Sequence, residues 1–481
     1  MKWNGVDVSP EMLARYKDEN EARVRDAARA GREVIDGLPL KLTLELTADC
    51  NLYCRHCEFP EPREQGREKN YRMETPLRDY RNLVVPALFP QVRVVNLTVV
   101  GEPLMVPYLD EVLKDCAEYQ VKLDINTNGM LLDEAMIRRV GPHTGGMIIS
   151  FDGGVRRTFN RVRTGGDFNV ITRNMALFDR WRRFELAPDA FFPGLYMACT
   201  LLRDNIEELP TMVEIAHLLR VDQLRGAWMI AFNDRLKPAS CLNHRALTNK
   251  CLRLARRRAE ELGVAVQLPA ELEGVSEAEI DAVEVRLPEL PDGPLPHLRE
   301  LLAARDADEA TWREALRRTT ERRPRGASAT PVAPVPVVAP GETFIPLTQV
   351  GGLTTLSDGL RQSPEERRVQ AAGVGLPAAE PAPVEADDGR PRYTCKFLWN
   401  ELFIGVSGDV TPCCTQGRPV VGNLHETPIE KIWNGPMMTE MRRRLLEGDP
   451  VDCCRDCNYN TQLGKGAYKE ETWFPKLDRK L

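Results

Sequence analysis

Residues 41–57 read KLTLELTADCNLYCRHC, a strand-like run followed by three cysteines in the pattern C-x3-C-x2-C. Cys50, Cys54 and Cys57 can ligate three corners of one small inorganic cluster. A structural zinc site, or a cluster ligated wholly by cysteine, needs four protein ligands. Three thiolates therefore leave one iron of a four-iron cluster open to another ligand. The alternative is a chance spacing in a chain that contains 13 cysteines.

Six β-rich runs alternate with helical stretches downstream of residue 41. They are Lys41–Thr47, Val92–Val100, Val121–Asn128, Met147–Phe151, Leu195–Leu202 and Leu224–Ile230. Strands that alternate with helices predict βαβ units and a parallel sheet, and six of them fit an α/β fold of the partial (β/α)6 TIM-like barrel type. In such folds the chemistry lies just beyond the carboxyl ends of the strands. The cysteine loop is placed at such an end.

Short polar motifs close the next three predicted strands. They are Val100-Gly101-Glu102-Pro103, Asn126-Thr127-Asn128-Gly129 and Ser150-Phe151-Asp152-Gly153. Each motif alone is a loop or turn signal of low specificity. Together with the cysteine loop, and in this order, they resemble the radical S-adenosylmethionine (SAM) superfamily. In that family a [4Fe–4S] cluster binds SAM at its open iron.

The resemblance implies which residues contact SAM. Gly101 and Glu102 match a motif whose backbone and carboxylate receive the methionine amino group, although Val100 replaces its first glycine. Arg163 stands where relatives place an arginine against the methionine carboxylate, a role that suits the bidentate guanidinium. His56, inside the cysteine loop, is interpreted as a packing residue beside the adenine.

Four further cofactor-binding residues follow from the same resemblance. Asn126 and Asn128 belong to the turn beside SAM, and Ser150 and Asp152 belong to the segment whose serine faces the ribose hydroxyls. No residue is identified as the catalytic acid or base.

A second group of cysteines lies near the C-terminus. Its members are Cys395, Cys413, Cys414, Cys453, Cys454 and Cys457. The stretch that begins at Tyr393 predicts two short strands turning at Ser407-Gly408-Asp409, which would bring Cys395 towards Cys413. The spacing, with Trp433-Asn434-Gly435 between the cysteine pairs, resembles the SPASM domain that follows many radical SAM barrels.

The resemblance assigns four ligands to one auxiliary [4Fe–4S] cluster, namely Cys395, Cys413, Cys454 and Cys457. No cysteine follows Cys457, which favours the shortened variant called twitch. Cys414 and Cys453 are left over. A structural zinc site is the alternative, because four thiolates in two pairs suit zinc equally well.

The sequence suggests four segments. Residues 1–40 are a helical extension that opens at Ser9-Pro10, with a helix over about 9–36 that is too short for a leader-peptide recognition domain. Residues 41–270 are the barrel, and 393–481 are the SPASM/twitch domain. Residues 271–392 combine a charged helix near 297–322 with Pro/Ala-rich tracts, which indicates an insertion and a partly disordered linker.

Composition and the N-terminal sequence indicate the partners and the cellular compartment to expect. A net charge of −6 argues against a nucleic-acid partner. The N-terminus has no signal-peptide pattern and no stretch approaches 18 apolar residues, so we expect a cytoplasmic protein that does not enter a membrane. In a reducing compartment the cysteines serve as thiols and ligands, and Cys116 and Cys199 are expected in the core.

The resemblance implies an oxidoreductase-type enzyme that cleaves SAM reductively to a 5′-deoxyadenosyl radical, which then abstracts a hydrogen atom. A low-potential donor such as flavodoxin or ferredoxin is then required. The expected substrate is a small polar metabolite, of sugar or aminocyclitol type, that undergoes dehydrogenation, dehydration or epimerisation. One alternative is a maturase that modifies a peptide or protein side chain. Another is a non-catalytic iron–sulfur scaffold or electron carrier.

Overall fold

The computed structural model describes residues 2–3, 6–57, 74–97, 100–187, 190–231, 234–321, 384–385, 391–392, 395–414 and 418–455. The chain divides into two compact units, Met1–Leu295 with Leu376–Leu481, and Pro296–Gly375. The cysteine groups and the strand-end motifs all belong to the first unit.

The described part of the first unit is built on one ten-stranded sheet. Its strands are β1 Lys41–Leu44, β2 Val94–Leu97, β3 Lys122–Thr127, β4 Thr144–Ser150, β5 Gly194–Leu201, β6 Gln223–Trp228, β7 Val266–Gln267, β8 Glu401–Ile404, β9 Asp409–Thr411 and β10 Gly422–Asn423. Their order is β7-β6-β5-β4-β3-β2-β1-β8-β9-β10. Strands β1 to β7 pair in parallel with their neighbours. The predicted α/β partial barrel is confirmed, with β1 to β6 at the six predicted positions.

The two faces of this sheet differ in polarity. On one face the side chains are apolar and buried, as in Leu42, Val95, Ile125 and Met147. The other face carries polar and partly exposed side chains, which include Asn96, Asp124, Asn126, Ser150, Tyr196 and Arg225. A parallel sheet covered on both faces reads as continuous hydrophobic runs. The alternation seen here shows that the polar face, called the inner face below, is the unfilled inside of the partial barrel.

Helices connect the strands and bury their apolar sides. The longer ones are Leu109–Glu118, Glu134–Val140, Arg156–Val162, Phe168–Phe184, Leu209–Leu218 and Arg245–Leu262. Shorter helical elements are Leu77–Asp79, Tyr80–Val84, Val85–Leu88, Pro103–Met105, Gly141–His143, Ile206–Glu208, Lys237–Ala239, Cys241–His244 and Glu277–Ala282. Asp133 and Asp167 cap two of the helices, since their carboxylates accept hydrogen bonds from backbone N–H groups of the first turn. These caps fix where the chain leaves the strand ends.

The N-terminal helix runs from Pro10 to Arg29 and ends before the predicted residue 36. Ser9 is its N-cap and accepts from the Met12 N–H at 3.3 Å. Lys17 is fully buried, and its ammonium donates to the Phe89 carbonyl at 2.8 Å and to the Val92 carbonyl. A buried ammonium requires such acceptors. The extension is therefore tied to the barrel just before β2.

The C-terminal cysteine segment continues the barrel sheet. Strand β8 pairs in parallel with β1, and β8 and β9 form the predicted hairpin, whose turn places Gly408 at a φ of 81°. The fully buried Arg442 donates to the Leu398 and Trp433 carbonyls at 2.7 and 2.9 Å, and to the Glu33 carbonyl at 2.9 Å. One side chain thus joins the N-terminal extension to the C-terminal segment. Helices Lys396–Asn400, Ile429–Trp433, Pro436–Leu446 and Asp452–Arg455 complete this segment.

Within the described residues of the second unit, a short 3-10 helix Pro296–Leu298 precedes two α-helices, Arg299–Ala303 and Glu309–Glu321, where the sequence predicted one helix. The Pro/Ala-rich tracts and their predicted disorder lie outside the described residues. No helix in the described ranges is both long and apolar enough to cross a membrane.

Candidate active site at the carboxyl ends of the strands

The cysteine loop follows β1 and is held by a backbone pair. Tyr53–Cys54 forms a two-stranded antiparallel pair with Arg163–Thr164, in which Cys54 lies opposite Arg163. The Cys57 N–H donates to the Cys54 carbonyl at 3.1 Å, which closes a tight turn between these two ligand candidates. Cys50 and Cys54 are partly exposed and Cys57 is exposed, and none of the three forms a disulfide. The loop therefore presents three thiols on one short, pinned segment.

Two side chains donate towards the sulfurs of this loop. The Arg163 guanidinium lies 3.7 Å from the Cys54 Sγ, and the Asn128 amide lies 3.8 Å from the Cys50 Sγ. Burial raises the pKa of Cys54 to about 12, and the nearby Arg163 opposes that rise. A cation and hydrogen-bond donors favour a thiolate, and metal binding displaces the thiol proton. The loop fits the three-thiolate side of an iron–sulfur cluster.

Gly101 lies in close contact with the backbone that leads into the cysteine loop. Its φ is 78°, and a Cβ at this position would lie 2.4 Å from the Thr47 carbonyl oxygen. The Glu102 N–H donates to the Asp49 carbonyl at 2.7 Å, one residue before Cys50. Among the described non-glycine residues, only Gln120 and Arg220 have a positive φ, so the φ of Val100 is not positive. The backbone at position 100 therefore does not require the glycine of the family motif. The position that requires a glycine is 101, where the backbone lies close to the Thr47 carbonyl oxygen.

Glu102 joins the ends of β2 and β3. Its Oε1 accepts from the Leu104 N–H at 3.2 Å and from the Thr127 hydroxyl at 2.6 Å, and its Oε2 accepts from the Asn128 N–H at 2.8 Å. Burial raises the pKa of Glu102 above its ordinary value, although these three hydrogen bonds oppose that rise. A carboxylate offers about four acceptor positions, so one on Oε2 is left for an external donor. Its predicted contact with the methionine amino group stays a prediction.

The turn after β3 is tied to the cysteine loop. The Asn128 amide donates to the Asn51 side-chain oxygen at 2.7 Å, in addition to its contact with Cys50. The Asn128 side-chain oxygen accepts from the Met130 N–H at 2.9 Å. On the inner face, the Ser150 hydroxyl at the end of β4 lies 3.4 Å from the Asn126 side-chain oxygen. The predicted cofactor residues of β3 and β4 are therefore neighbours.

Asp152 and Arg163 form a buried ion pair next to the loop. The Arg163 Nε lies 2.7 Å from Asp152 Oδ2, and the other carboxylate oxygen accepts from the Thr200 N–H at 2.6 Å. Burial alone would lower the pKa of Arg163, but Asp152 and Cys54 raise it above its ordinary value. The pair thus connects β5 to Cys54. Arg163 is predicted to hold the methionine carboxylate, and its described partners are Asp152 and Cys54.

His56 also faces this ion pair. Its Nε2 lies 3.4 Å from Asp152 Oδ2, and its buried Nδ1 has no hydrogen-bond partner among the described residues. Burial lowers the pKa of His56, although Asp152 opposes that effect. The interpretation of His56 as a packing residue beside the adenine stays a prediction.

The second cysteine group is gathered in the C-terminal segment. Cys395, Cys413 and Cys454 are buried, and Cys454 is hydrogen-bonded to Cys453. That hydrogen bond, burial, and the charges of Cys395 and Cys413 all raise the pKa of Cys454. Of the four predicted ligands, Cys395 and Cys413 therefore each lie within electrostatic range of Cys454. The fourth, Cys457, lies outside the described residues.

Cys414 follows Cys413 directly in the chain. It is partly exposed, and its carbonyl accepts from the Arg418 guanidinium at 3.2 Å. Among the described residues, no three Cys, His, Asp or Glu side chains converge closely enough to hold a single metal ion. As predicted, Cys116 and Cys199 are core residues, with 0% and 3% of their surface exposed.

Sequence reasoning missed several residues that order the site. Thr127 bridges Glu102 and the Gly129 N–H. Asn205 donates to the carbonyls of Asp152 and Thr200, at 3.2 and 2.8 Å, and so fixes the turn that carries Asp152. Thr127 lies inside a quoted motif and was open to detection. Asn205 lies in an unremarkable turn, and the sequence gives no signal for it.

Comparison with known families agrees with this arrangement. Residues 44–216 match the family model of the radical SAM superfamily, and residues 395–458 match the iron–sulfur cluster-binding domain SPASM. The chain therefore carries a radical SAM domain followed by a SPASM domain. A radical SAM domain implies a [4Fe–4S] cluster with SAM, and a SPASM domain implies auxiliary iron–sulfur clusters.

Two curated relatives and one solved structure illustrate the similarity. The mycofactocin maturase MftC of Mycobacterium tuberculosis is 27% identical over 193 residues, which are 39% of this chain and 45% of that protein. The PqqA peptide cyclase of Granulibacter bethesdensis is 27% identical over 207 residues, 42% of this chain and 52% of that protein. SuiB of Streptococcus suis bound to the precursor peptide SuiA aligns with a TM-score of 0.48 at 13% identity, covering 95% of this chain and 79% of that one. The matches thus span about half the length of the two curated relatives.

Proposed function

We propose that this protein is a radical SAM enzyme of oxidoreductase type that modifies a side chain of a peptide or protein. The observation that carries the radical SAM part is the pinned loop of Cys50, Cys54 and Cys57, with Arg163 and Asn128 directed at its sulfurs. The peptide part is supported by the matched relatives, whose names describe a maturase and a peptide cyclase.

The residues of the site divide the work between holding and orienting. Cys50, Cys54 and Cys57 would hold the cluster. The backbone at Gly101 and the free acceptor position on Glu102 would orient the amino acid part of SAM, because a carboxylate suits an ammonium. When bound, the cluster and SAM supply the radical chemistry, and the protein supplies ligation, orientation and shelter from water.

Further along the sheet, Asn126 and Ser150 would contact the nucleoside. Their side chains lie 3.4 Å apart on the inner face, at the ends of β3 and β4. Arg163 carries the positive charge for the methionine carboxylate, and Asp152 holds the guanidinium in position. The inner face beyond these residues is polar and partly exposed, and it is the space that we assign to the substrate.

The SPASM domain would hold one auxiliary cluster through Cys395, Cys413, Cys454 and Cys457. These are the ligands that the resemblance implies, and Cys395 and Cys413 both act electrostatically on Cys454. A low-potential donor such as flavodoxin or ferredoxin would supply the electron for SAM cleavage. The auxiliary cluster would accept the electron that an oxidised substrate gives up.

The sequence alone predicted a small polar metabolite as the substrate. It rested on the short N-terminal helix and on the cysteine count, and neither excludes a peptide substrate. The relatives favour the peptide. The earlier alternative of a modifying maturase therefore becomes the main proposal.

The first test is SAM cleavage. The protein is reconstituted anaerobically with iron and sulfide and reduced with dithionite, and 5′-deoxyadenosine is measured with and without added substrate. We expect slow cleavage without substrate. A fully loaded protein that neither binds nor cleaves SAM would favour the non-catalytic scaffold or electron carrier.

The second test separates peptide from metabolite. An extract of the organism that carries the gene is divided by size, and each fraction is assayed for stimulation of 5′-deoxyadenosine release. For a peptide substrate, protease treatment should destroy the stimulating activity. Stimulation that survives the protease and passes a membrane of about 1 kDa would return the small polar metabolite to first place.

A further inference from the structure

Arg225, on β6, is a cation of the inner face whose guanidinium has one hydrogen bond among the described residues. Its Nε donates to the Gln223 side-chain oxygen at 2.7 Å, and its Cζ lies 4.0 Å from the centre of the Tyr196 ring. No described carboxylate forms an ion pair with it. An arginine that is stacked and oriented, but lacks an anion, is prepared to bind one.

The charged neighbours of Arg225 are differently placed. On β1 and β3, Lys41 pairs with Asp124 at 3.0 Å. On β8, Glu401 accepts from the Thr43 hydroxyl at 2.7 Å. The acidic groups of the inner face are therefore engaged near β1, and the charge of Arg225 is left for an external ligand.

Three buried arginines of the first unit, unlike the partly exposed Arg225, have partners for their charge. Arg182 pairs with Asp179 at 2.8 Å and with Asp222 at 2.7 Å, and Arg163 pairs with Asp152. Arg442 is surrounded by carbonyl acceptors. Arg225 differs from all three, because most of its donors point into the inner face without a described acceptor.

The tyrosine beneath Arg225 lies in a space that glycines provide. A Cβ on Gly194 would come within 2.5 Å of the Tyr196 ring, and a Cβ on Gly146 within 3.0 Å. Gly194 lies on the same strand as Tyr196 and Gly146 on the neighbouring strand β4, and their missing side chains let the ring lie flat along the sheet. The ring then supports the guanidinium from one side, which limits its rotamers.

Arg225 lies in the cross-strand row that contains Ser150. Ser150 pairs with Ala198, and Ala198 pairs with Arg225. Strands are about 4.8 Å apart, so Arg225 lies two strands, about 10 Å, along the row from Ser150. The small Ala198 keeps the space between them open. A substrate next to the nucleoside would extend from Ser150 towards Arg225.

The charge of Arg225 also acts across the inner face, on Lys41 of β1. Burial lowers the pKa of Lys41 on β1, Asp124 and Glu401 raise it more, and Arg225 contributes a further lowering. The two cations therefore lie within electrostatic range, although β1 and β6 are five strands apart in the sheet. Arg225 faces the same enclosed space as the predicted SAM residues.

We propose that Arg225, stacked on Tyr196 and oriented by Gln223, binds a carboxylate of the substrate. The inference rests on the proposed function for the nature of the substrate, which would be a peptide with an Asp or Glu side chain or a chain terminus at this position. The methionine part of SAM also carries a carboxylate. Arg163, beside Cys54, lies nearer to the loop that would hold that group.

The test uses reconstituted full-length holoenzyme with SAM bound, and two small probes. N-acetyl-glutamate N-methylamide carries the carboxylate, and N-acetyl-glutamine N-methylamide is its neutral match. Ligand-observed NMR titrations compare the wild type with Arg225→Gln, Arg225→Lys and the surface control Arg139→Gln, whose arginine pairs with Asp110 on a helix. Iron content and circular dichroism verify that each variant is loaded and folded.

We expect the wild type and the Arg139→Gln control to prefer the acid about tenfold, as a charge-assisted hydrogen bond of ordinary strength gives. Arg225→Gln should remove the preference, and Arg225→Lys should restore part of it. An Arg225→Gln protein that keeps the full preference overturns the proposal. So does a wild type that binds both probes equally.

A second measurement identifies the source of the carboxylate. SAM binding to the unreduced holoenzyme is measured by equilibrium dialysis, and we expect Arg225→Gln to change the Kd less than twofold. A tenfold weakening would assign Arg225 to SAM and overturn its assignment to the substrate. Failure of the wild type to cleave SAM would count against the proposed function, while the probe preference would still report on Arg225.

Discussion

The two cysteine sites of this protein are built in opposite ways. Cys50, Cys54 and Cys57 lie on one short loop, are at least partly exposed, and receive donors from Arg163 and Asn128. Cys395, Cys413 and Cys454 come from three separated points of the chain and are buried. A cluster held by the loop would be open to a ligand on one side. A cluster held by the buried set would be enclosed by protein.

This difference would suit the cysteine loop to binding a cofactor and the buried cysteines to electron transfer. An open iron with polar side chains around it can chelate a cofactor, whereas burial and hydrogen bonding to sulfur tune the potential of an enclosed cluster. Strand β8 connects the two sites, because it extends the barrel sheet next to β1, which leads into the loop. The cysteines of the two sites nevertheless come from different segments, 50–57 and 395–457, so loss of the ligands at one site should leave the other site folded.

The largest effect is expected for Cys54→Ala. This change removes one of three ligands from the open cluster, so 5′-deoxyadenosine formation under dithionite should fall to background. Iron should decrease by about four atoms per chain. Chromatography of the product and iron analysis measure both. Continued SAM cleavage in this variant would refute the assignment of the loop.

The enclosed site should respond separately. Cys454→Ala removes a buried thiol that interacts with Cys395 and Cys413, and we expect it to lose the auxiliary cluster while SAM cleavage without substrate persists. Cys414→Ala, at the partly exposed neighbour, should keep its iron and is the matched control. Tightly bound zinc in the wild type, with iron for one cluster, would instead favour the structural zinc site.

Much of the open site followed from sequence because its parts are local. Six strands, a cysteine loop and three strand-end motifs fall in order along the chain, and parallel strands bring their carboxyl ends to one edge. The hairpin turning near Gly408 was likewise encoded by turn residues. Each of these features depends on neighbours a few residues apart.

What the sequence did not give are contacts between distant residues. The pairing of β8 with β1 joins residues more than 350 apart in number, as in Thr43 with Glu401. Arg442 stands in a run of three arginines, 442–444, of the kind that is expected on a solvated face, yet it is fully buried and joins the two ends of the first unit. Nothing in the local pattern distinguishes it from the partly exposed Arg443. Only the packing of the chain does so.

Gly101→Ala should damage the open site through the backbone. The new Cβ would lie 2.4 Å from the Thr47 carbonyl oxygen, and φ is 78°, so a cost of about 2–4 kcal/mol is expected from strain and contact together. Gly263→Ala is the control, since its φ is 66° but nothing lies within 4 Å of its Cβ. It should cost about 1 kcal/mol. Denaturant midpoints of the anaerobic holoenzyme give both values, and equal losses would contradict the close approach at Gly101.

The smallest effect is expected for Arg163→Lys, which keeps the charge next to Cys54 and loses the fork. Lysine cannot reach Asp152 and a methionine carboxylate with paired donors, so SAM binding should weaken about tenfold. The cluster content should stay unchanged, because Cys50, Cys54 and Cys57 are intact. Equilibrium dialysis with SAM and iron analysis separate these outcomes. Loss of iron without a change in SAM affinity would instead mean that Arg163 acts on the Cys54 thiolate, and that the methionine carboxylate is held elsewhere.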